Sequence, residues 1–167
     1  MKVKIFLVEN NEDLEVVKQL FIVYANYIFE LFSPHSLSLA QRLSKKALNE
    51  AKNLPGEYVL PKGCILLAEC KEKIAGCIAV SEIAGNVCEL KRLYVKPQYR
   101  LMGIGRKLVE EIIEKAAQLK YKRMRLDTNK DLFIGAEPLY SSLGFIETGH
   151  IKGSPLKGSV RMKLELI

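Results

Sequence analysis

Apolar residues recur along this chain in two periods. Val3–Glu9 sets Ile5 and Leu7 against Lys4 and reads as a first strand. From Leu14 the spacing changes to three and four residues. Leu14, Val17, Leu20, Phe21, Tyr24, Tyr27, Ile28 and Leu31 describe one face of a long helix. Asn10-Asn11-Glu12-Asp13 supplies side chains that accept from the free N–H groups of its first turn, and Ser33-Pro34 ends it. A weaker stripe, Leu39, Leu43, Ala47, Leu48 and Ala51, predicts a second helix over Ser38–Lys52. Cys64–Cys70 and Lys73–Ile83 then form a tight hairpin, followed by a strand at Val87–Val95 and a loop at Pro97–Met102. A strongly amphipathic helix over Gly103–Lys120, a strand at Lys122–Thr128 and a short helix at Gly135–Leu143 come next. The last strands are Phe145–Thr148 and Val160–Ile167, and Gly144 is placed to end the short helix in a left-handed conformation.

The order is β-α-α-β-β-β-α-β-α-β-β. Hairpin-joined strands followed by a crossover helix imply an α+β fold with a mixed, mostly antiparallel central sheet and helices on both faces. The expectation is one domain over residues 1–167. A chain of 167 residues, 49% hydrophobic and 27% charged, has material for a sizeable core without disulfides or a structural metal. No apolar run approaches the roughly 20 residues of a membrane-spanning helix. The short Ile5–Val8 run lacks a signal-peptide core, so the expected location is cytoplasmic. Cys64, Cys70, Cys77 and Cys88 have no C-x-x-C pair and lie in strand-like stretches, which reads as reduced core thiols. His35 and His150 are too few and too far apart for a histidine metal site, so metal-free chemistry is expected.

The formal net charge is +7, and its placement says more than its size. Residues 86–130 hold twelve Lys or Arg against five acids, while the rest of the chain balances. Such a focused excess suits a polyanionic ligand, either nucleic acid or a phosphorylated cofactor, although a solvated basic face would look the same.

The segment Gln98-Tyr99-Arg100-Leu101-Met102-Gly103-Ile104-Gly105-Arg106 decides between them. No Ser, Thr, Asp or Asn stands at the start of the helix that follows, so its first N–H groups lack a side-chain acceptor. Gly103 and Gly105 remove β-carbons that would hold a ligand off. Free donors with the helix dipole make an anion site, with Arg100, Arg106 and Lys107 at its rim. A dinucleotide fingerprint would need glycine at position 108, where the chain has Leu108. The later run Gly153-Ser154-Pro155-Leu156-Lys157-Gly158-Ser159 has no helix after it and is a turn.

Arg100-x-x-Gly103-x-Gly105 resembles the R/Q-x-x-G-x-G/A signature of the GCN5-related N-acetyltransferase (GNAT) superfamily, whose backbone amides hold the pyrophosphate of acetyl-CoA. Glu89-Leu90-Lys91-Arg92-Leu93-Tyr94-Val95 before it and Leu139-Tyr140-x-x-Leu143-Gly144-Phe145 after it resemble further segments of that family, in the same order. The likeness is specific over residues 87–148 and topological before that. It implies a sheet splayed at strand 87–95 with pantetheine in the gap. Cofactor contacts would come from the backbone of Leu93, Tyr94 and Val95, from Arg100, Leu101, Met102, Gly103, Ile104, Gly105 and Arg106, and from Asn129. It also implies acetyl transfer to a primary amine by direct attack, with Glu89 as base and Tyr140 as proton donor. Glu89 could instead be a cross-strand ion-pair partner. A non-catalytic acetyl-CoA-binding module remains the alternative, and the family's frequent dimers make a homodimer an open expectation. No aromatic-plus-basic motif supports nucleic-acid binding. Glu30 and Glu57 are candidates to attract a cationic acceptor, and segments 33–63 and 149–159 are where it would dock.

Overall fold

The computed structural model describes residues 1–167. Its strands are β1 (Val3–Leu7), β2 (Cys64–Cys70), β3 (Lys73–Ala84), β4 (Val87–Val95), β5 (Arg123–Asn129), β6 (Ile146–His150) and β7 (Ser159–Glu165). Its helices are α1 (Asn11–Phe32), α2 (Leu37–Lys52), α3 (Ile104–Gln118) and α4 (Ala136–Ser142). Every expected element is present, with ends displaced by at most two residues. The one addition is a 3₁₀ turn at Pro97–Tyr99, inside the expected loop.

All seven strands join one sheet in the order β1-β2-β3-β4-β5-β7-β6. Five of the six pairings are antiparallel; only β4 and β5 run parallel. That parallel ladder is three residues long, Val87–Glu89 against Arg123–Arg125. Beyond Glu89 the two strands part and the sheet splays, as expected.

Strand alternation divides the core. Cys64, Leu66, Ile78, Val80, Cys88, Leu90, Met124, Leu126 and Met162 face α3 and α4, where Ile104, Leu108, Ile112 and Tyr140 meet them. Ile65, Leu67, Cys77 and Ala79 face the other way, against Val17, Leu20 and Phe21 of α1. The C-terminal half of α1 packs on α2 through Ile28, Phe32, Leu39 and Ala40, and this wall continues to Leu132, Phe133 and Leu156. All four cysteines are buried and unpaired. Burial pushes the thiols of Cys64, Cys77 and Cys88 up, to about 11, about 12 and about 12, which leaves them protonated and inert.

Candidate active site

β4 is irregular where it leaves β5. Its register against β3 jumps from Ala79–Lys91 to Cys77–Tyr94. Within the jump, Arg92 holds φ 58°, a left-handed conformation rare for a residue with a side chain. In a regular strand, neighbours point to opposite faces. Here the bulge lets Lys91 and Arg92 reach one carboxylate. Arg92 Nη2 lies 2.5 Å and Lys91 Nζ 3.6 Å from Glu50 Oε2 at the end of α2. Tyr58 donates to Glu50 Oε1, Lys91 pairs with Glu57 at 2.7 Å, and the Arg92 guanidinium lies over the Tyr24 ring at 5.3 Å. Burial alone would raise the Glu50 carboxyl, but Arg92, Tyr58 and Lys91 hold it below its ordinary value. This network is absent from the sequence reading. Glu57, expected to attract a cationic acceptor, is already tied to Lys91, and Glu30 stands exposed on α1 away from the cleft.

The loop after β4 matches the expected anion site. Leu101 and Gly103 take φ 60° and 78°, so the chain turns left-handed twice before α3 begins. The N–H groups of Leu101, Met102, Gly103, Ile104, Gly105 and Arg106 have no acceptor within the protein, and Gly103 caps the helix without a side chain. A β-carbon at Gly103 would meet nothing within 4 Å, and one at Gly105 would only graze Val95 and Leu139. Consecutive open amides at a helix N-terminus fit a diphosphate.

Two side chains at the rim are engaged within the protein. Arg100 donates from Nε to the Val95 carbonyl at 2.8 Å, with its guanidinium over the rings of Tyr27 and Tyr94. It braces the loop against α1 and β4. Arg106 is held by Glu110 at 2.9 Å and Ser142 at 3.0 Å, which ties α3 to α4. The amides of the loop stay open while these two side chains are engaged within the protein.

Where β4 and β5 part lies a cleft of about 440 Å³. Glu89, Leu93 and Tyr140 line it, with Leu126, Thr128 and Asn129 from β5, Tyr24 and Phe32 from α1, and Arg42 and Lys46 from α2. Glu89 has no hydrogen bond and no cation within 4 Å, so the cross-strand ion pair is not made and the carboxylate is available. Tyr140 is 6% exposed and packs edge-on to Phe145, yet its hydroxyl has no partner within the protein. Burial pushes its pKa well above the ordinary phenol value, so it stays protonated and keeps a proton to donate.

Asn129 lies on the wall but is largely spent. Its Oδ1 accepts from Asp131 and Leu132 N–H, both at 3.0 Å, and its Nδ2 donates to Ser159 at 3.2 Å. The side chain fixes the turn after β5, a local role that the sequence reading did not assign. Tyr94 is buried between Tyr24, Tyr27 and Arg100, which leaves only its backbone for a cofactor. Past Glu89, the β4 edge through Leu93 and Val95 has no strand partner on the β5 side, so main-chain groups directed there are open.

No helix is long and apolar enough to cross a membrane. The profile of the acetyltransferase (GNAT) family matches residues 26–145. An N-acetyltransferase of Schizosaccharomyces pombe is 39% identical over 120 residues, covering 71% of this chain and 73% of that protein. One from Dictyostelium discoideum is 42% identical over 82 residues, covering 48% of this chain but only 38% of its own length. The PaiA N-acetyltransferase of Thermoplasma acidophilum, solved in complex with coenzyme A, superposes with a TM-score of 0.69 at 22% identity, covering 99% of both chains. The matched segment runs from within α1 to just past α4 and so contains the splay, the open amides and most of the cleft lining, and on this basis the chain belongs to the acetyltransferase (GNAT) family of acyltransferase enzymes.

Proposed function

We propose that the protein moves an acetyl group from acetyl-CoA to a primary amine, with both substrates bound at once in the cleft between β4 and β5. The observation that carries this reading is the run of six open amides, Leu101–Arg106, in the loop that follows β4, the strand whose residues Glu89–Leu93 line a cleft holding an unpaired carboxylate and an unpaired phenol. Bound acetyl-CoA would supply an activated acyl group on a good leaving thiolate. The chain's residues would do the rest.

An alkylammonium with a pKa of ~10.4 leaves only about one molecule in a few thousand neutral at pH 7. Glu89 accepts the proton, directly or through water, and frees the nitrogen lone pair. The nitrogen bonds to the carbonyl carbon, and charge building on the carbonyl oxygen meets open main-chain N–H groups of β4. As the carbon–sulfur bond breaks, the departing sulfur takes a proton from Tyr140, which its burial keeps protonated, and the second proton that the nitrogen sheds as the amide forms restores the phenol.

The test is release of free coenzyme A thiol that depends on added amine. Acetyl-CoA bound with no thiol released from any amine makes the protein a non-catalytic binding module instead. Within the active enzyme, Glu89→Gln should lower turnover roughly 10²-fold with acetyl-CoA affinity nearly unchanged, and wild-type turnover would move the base elsewhere.

A further inference from the structure

The charged side chains around the cleft divide by whether a neighbour already neutralises them. Lys91 and Arg92 are satisfied by Glu50 and Glu57. Asp127 is taken by Arg161, which donates from Nε and Nη2 at 2.8 and 3.1 Å. What remains facing the cavity is Glu89, with Arg42 and Lys46 of α2 and Lys152 of the β6–β7 loop. None of these three cations has a carboxylate within 4 Å.

Their arrangement is unfavourable as it stands. Arg42 and Lys46 are four residues apart, so like charges stack on one helix face. Glu50, one turn further on, is placed to neutralise Lys46, but it turns instead to Arg92 and Lys91. Arg92, with its side chain about nine-tenths buried, also keeps an Nε–H without an acceptor on this same wall. A second groove of about 520 Å³ adjoins along α2, sharing Arg42 and Lys46 and adding Lys45, Asn49 and Asn53. Glu50 and Glu57 also line that groove but are already paired, so the cationic side chains left unpaired along α2 have no carboxylate to offset them.

We infer that the acceptor is a small amine carrying a carboxylate or comparable anion a few bonds from its nitrogen, the amine directed to Glu89 and the anion to Arg42, Lys46 and Lys152. This rests on the reading of the cleft as the acceptor site. It selects amino-acid-like acceptors over polyamines, which would bring more positive charge against three cations with nothing to offset them.

Thiol release at saturating acetyl-CoA tests this with glycine, L-aspartate and L-glutamate, each against its C-terminal amide, and with spermidine. Free carboxylates should be used with kcat/KM at least about tenfold above the amides, and spermidine least of all. The Arg42→Gln/Lys46→Gln double variant should lose about tenfold in kcat/KM for the carboxylate acceptors, through KM, with the KM for acetyl-CoA unchanged. Both side chains are exposed, so the variant should fold normally. A preference for amides or spermidine overturns the inference while leaving acetyl transfer intact. So does a double variant whose defect lies in acetyl-CoA binding. Thiol release from no amine, with acetyl-CoA still bound by calorimetry, overturns the acetyl-transfer reading and this inference with it.

Discussion

α1 and α3 start in opposite ways. α1 begins behind Asn10, whose side chain accepts from Asp13 N–H at 2.8 Å, and Glu12 and Asp13 add negative charge to its first turn. α3 begins behind Gly103 in a left-handed conformation, with no side-chain acceptor and no acid in its first turn. Both helices bury an apolar stripe against the sheet, so packing does not account for the difference. A helix start without a cap forgoes about 1 kcal/mol, and exposed anion–dipole contacts are worth a further ~0.3–1 kcal/mol each. α1 uses both devices and α3 uses neither. Local rules are broken most often where a ligand completes the structure, and α3 fits that pattern. α4 is a useful control. It too starts behind a left-handed glycine, Gly135, but it has only seven residues and carries Glu137 in its first turn.

The largest effect should come from making α3 resemble α1. Gly103→Glu places a carboxylate over the open amides. The substituent has room, since nothing lies within 4 Å of a β-carbon there, although the left-handed backbone costs about 1–2 kcal/mol. Acetyl-CoA affinity measured by calorimetry should fall at least ~10²-fold, the loss of two or more charge-assisted hydrogen bonds. Micromolar affinity in a variant that still melts cooperatively would show that the diphosphate lies elsewhere.

Removing the Tyr140 hydroxyl separates chemistry from binding. Tyr140→Phe keeps the ring that packs on Phe145 and deletes a hydroxyl that has no partner within the protein. Turnover should drop roughly 10²-fold, the low end for a positioned proton donor, with acetyl-CoA affinity nearly unchanged. Wild-type turnover would take Tyr140 out of the mechanism.

The contrast between the two helix starts was legible in the sequence because it is local. A cap is read within four residues, and so is its absence. The strands were legible for the same reason, since period-two patterning and turn residues such as Lys71-Glu72 mark their own ends. What escaped depends on distant contacts or on backbone that no residue type announces. Glu50 meets Arg92 across 42 positions, and nothing in α2 alone says that its carboxylate turns toward β4 rather than toward Lys46. The bulge that permits this sits at Arg92, where a glycine would have been the usual sign. Asn129 fixes the turn after β5 through its carbonyl oxygen, a role that the resemblance does not announce. The net charge pointed to the right half of the fold and understated the cleft. Arg42, Lys46 and Lys152 lie outside the basic segment 86–130 and converge only in three dimensions.

The smallest effect belongs to the other helix, and it completes the comparison. Asn10→Ala removes the oxygen that accepts from Asp13 and leaves α1 as bare at its start as α3 is. The expected loss is about 1 kcal/mol, which for a protein of this size lowers the melting temperature by roughly 2–4 °C. Glu12 and Asp13 remain and still oppose the dipole, so the loss should not exceed that of one cap. They would also repel any anion drawn to the newly freed amides. Asn10→Ala should therefore gain no affinity for acetyl-CoA or inorganic pyrophosphate, and binding at Leu101–Arg106 should be unchanged. A coupled loss of stability and coenzyme affinity would mean that the two helix starts are not independent, and that the openness of α3 depends on how α1 is anchored rather than on its own sequence.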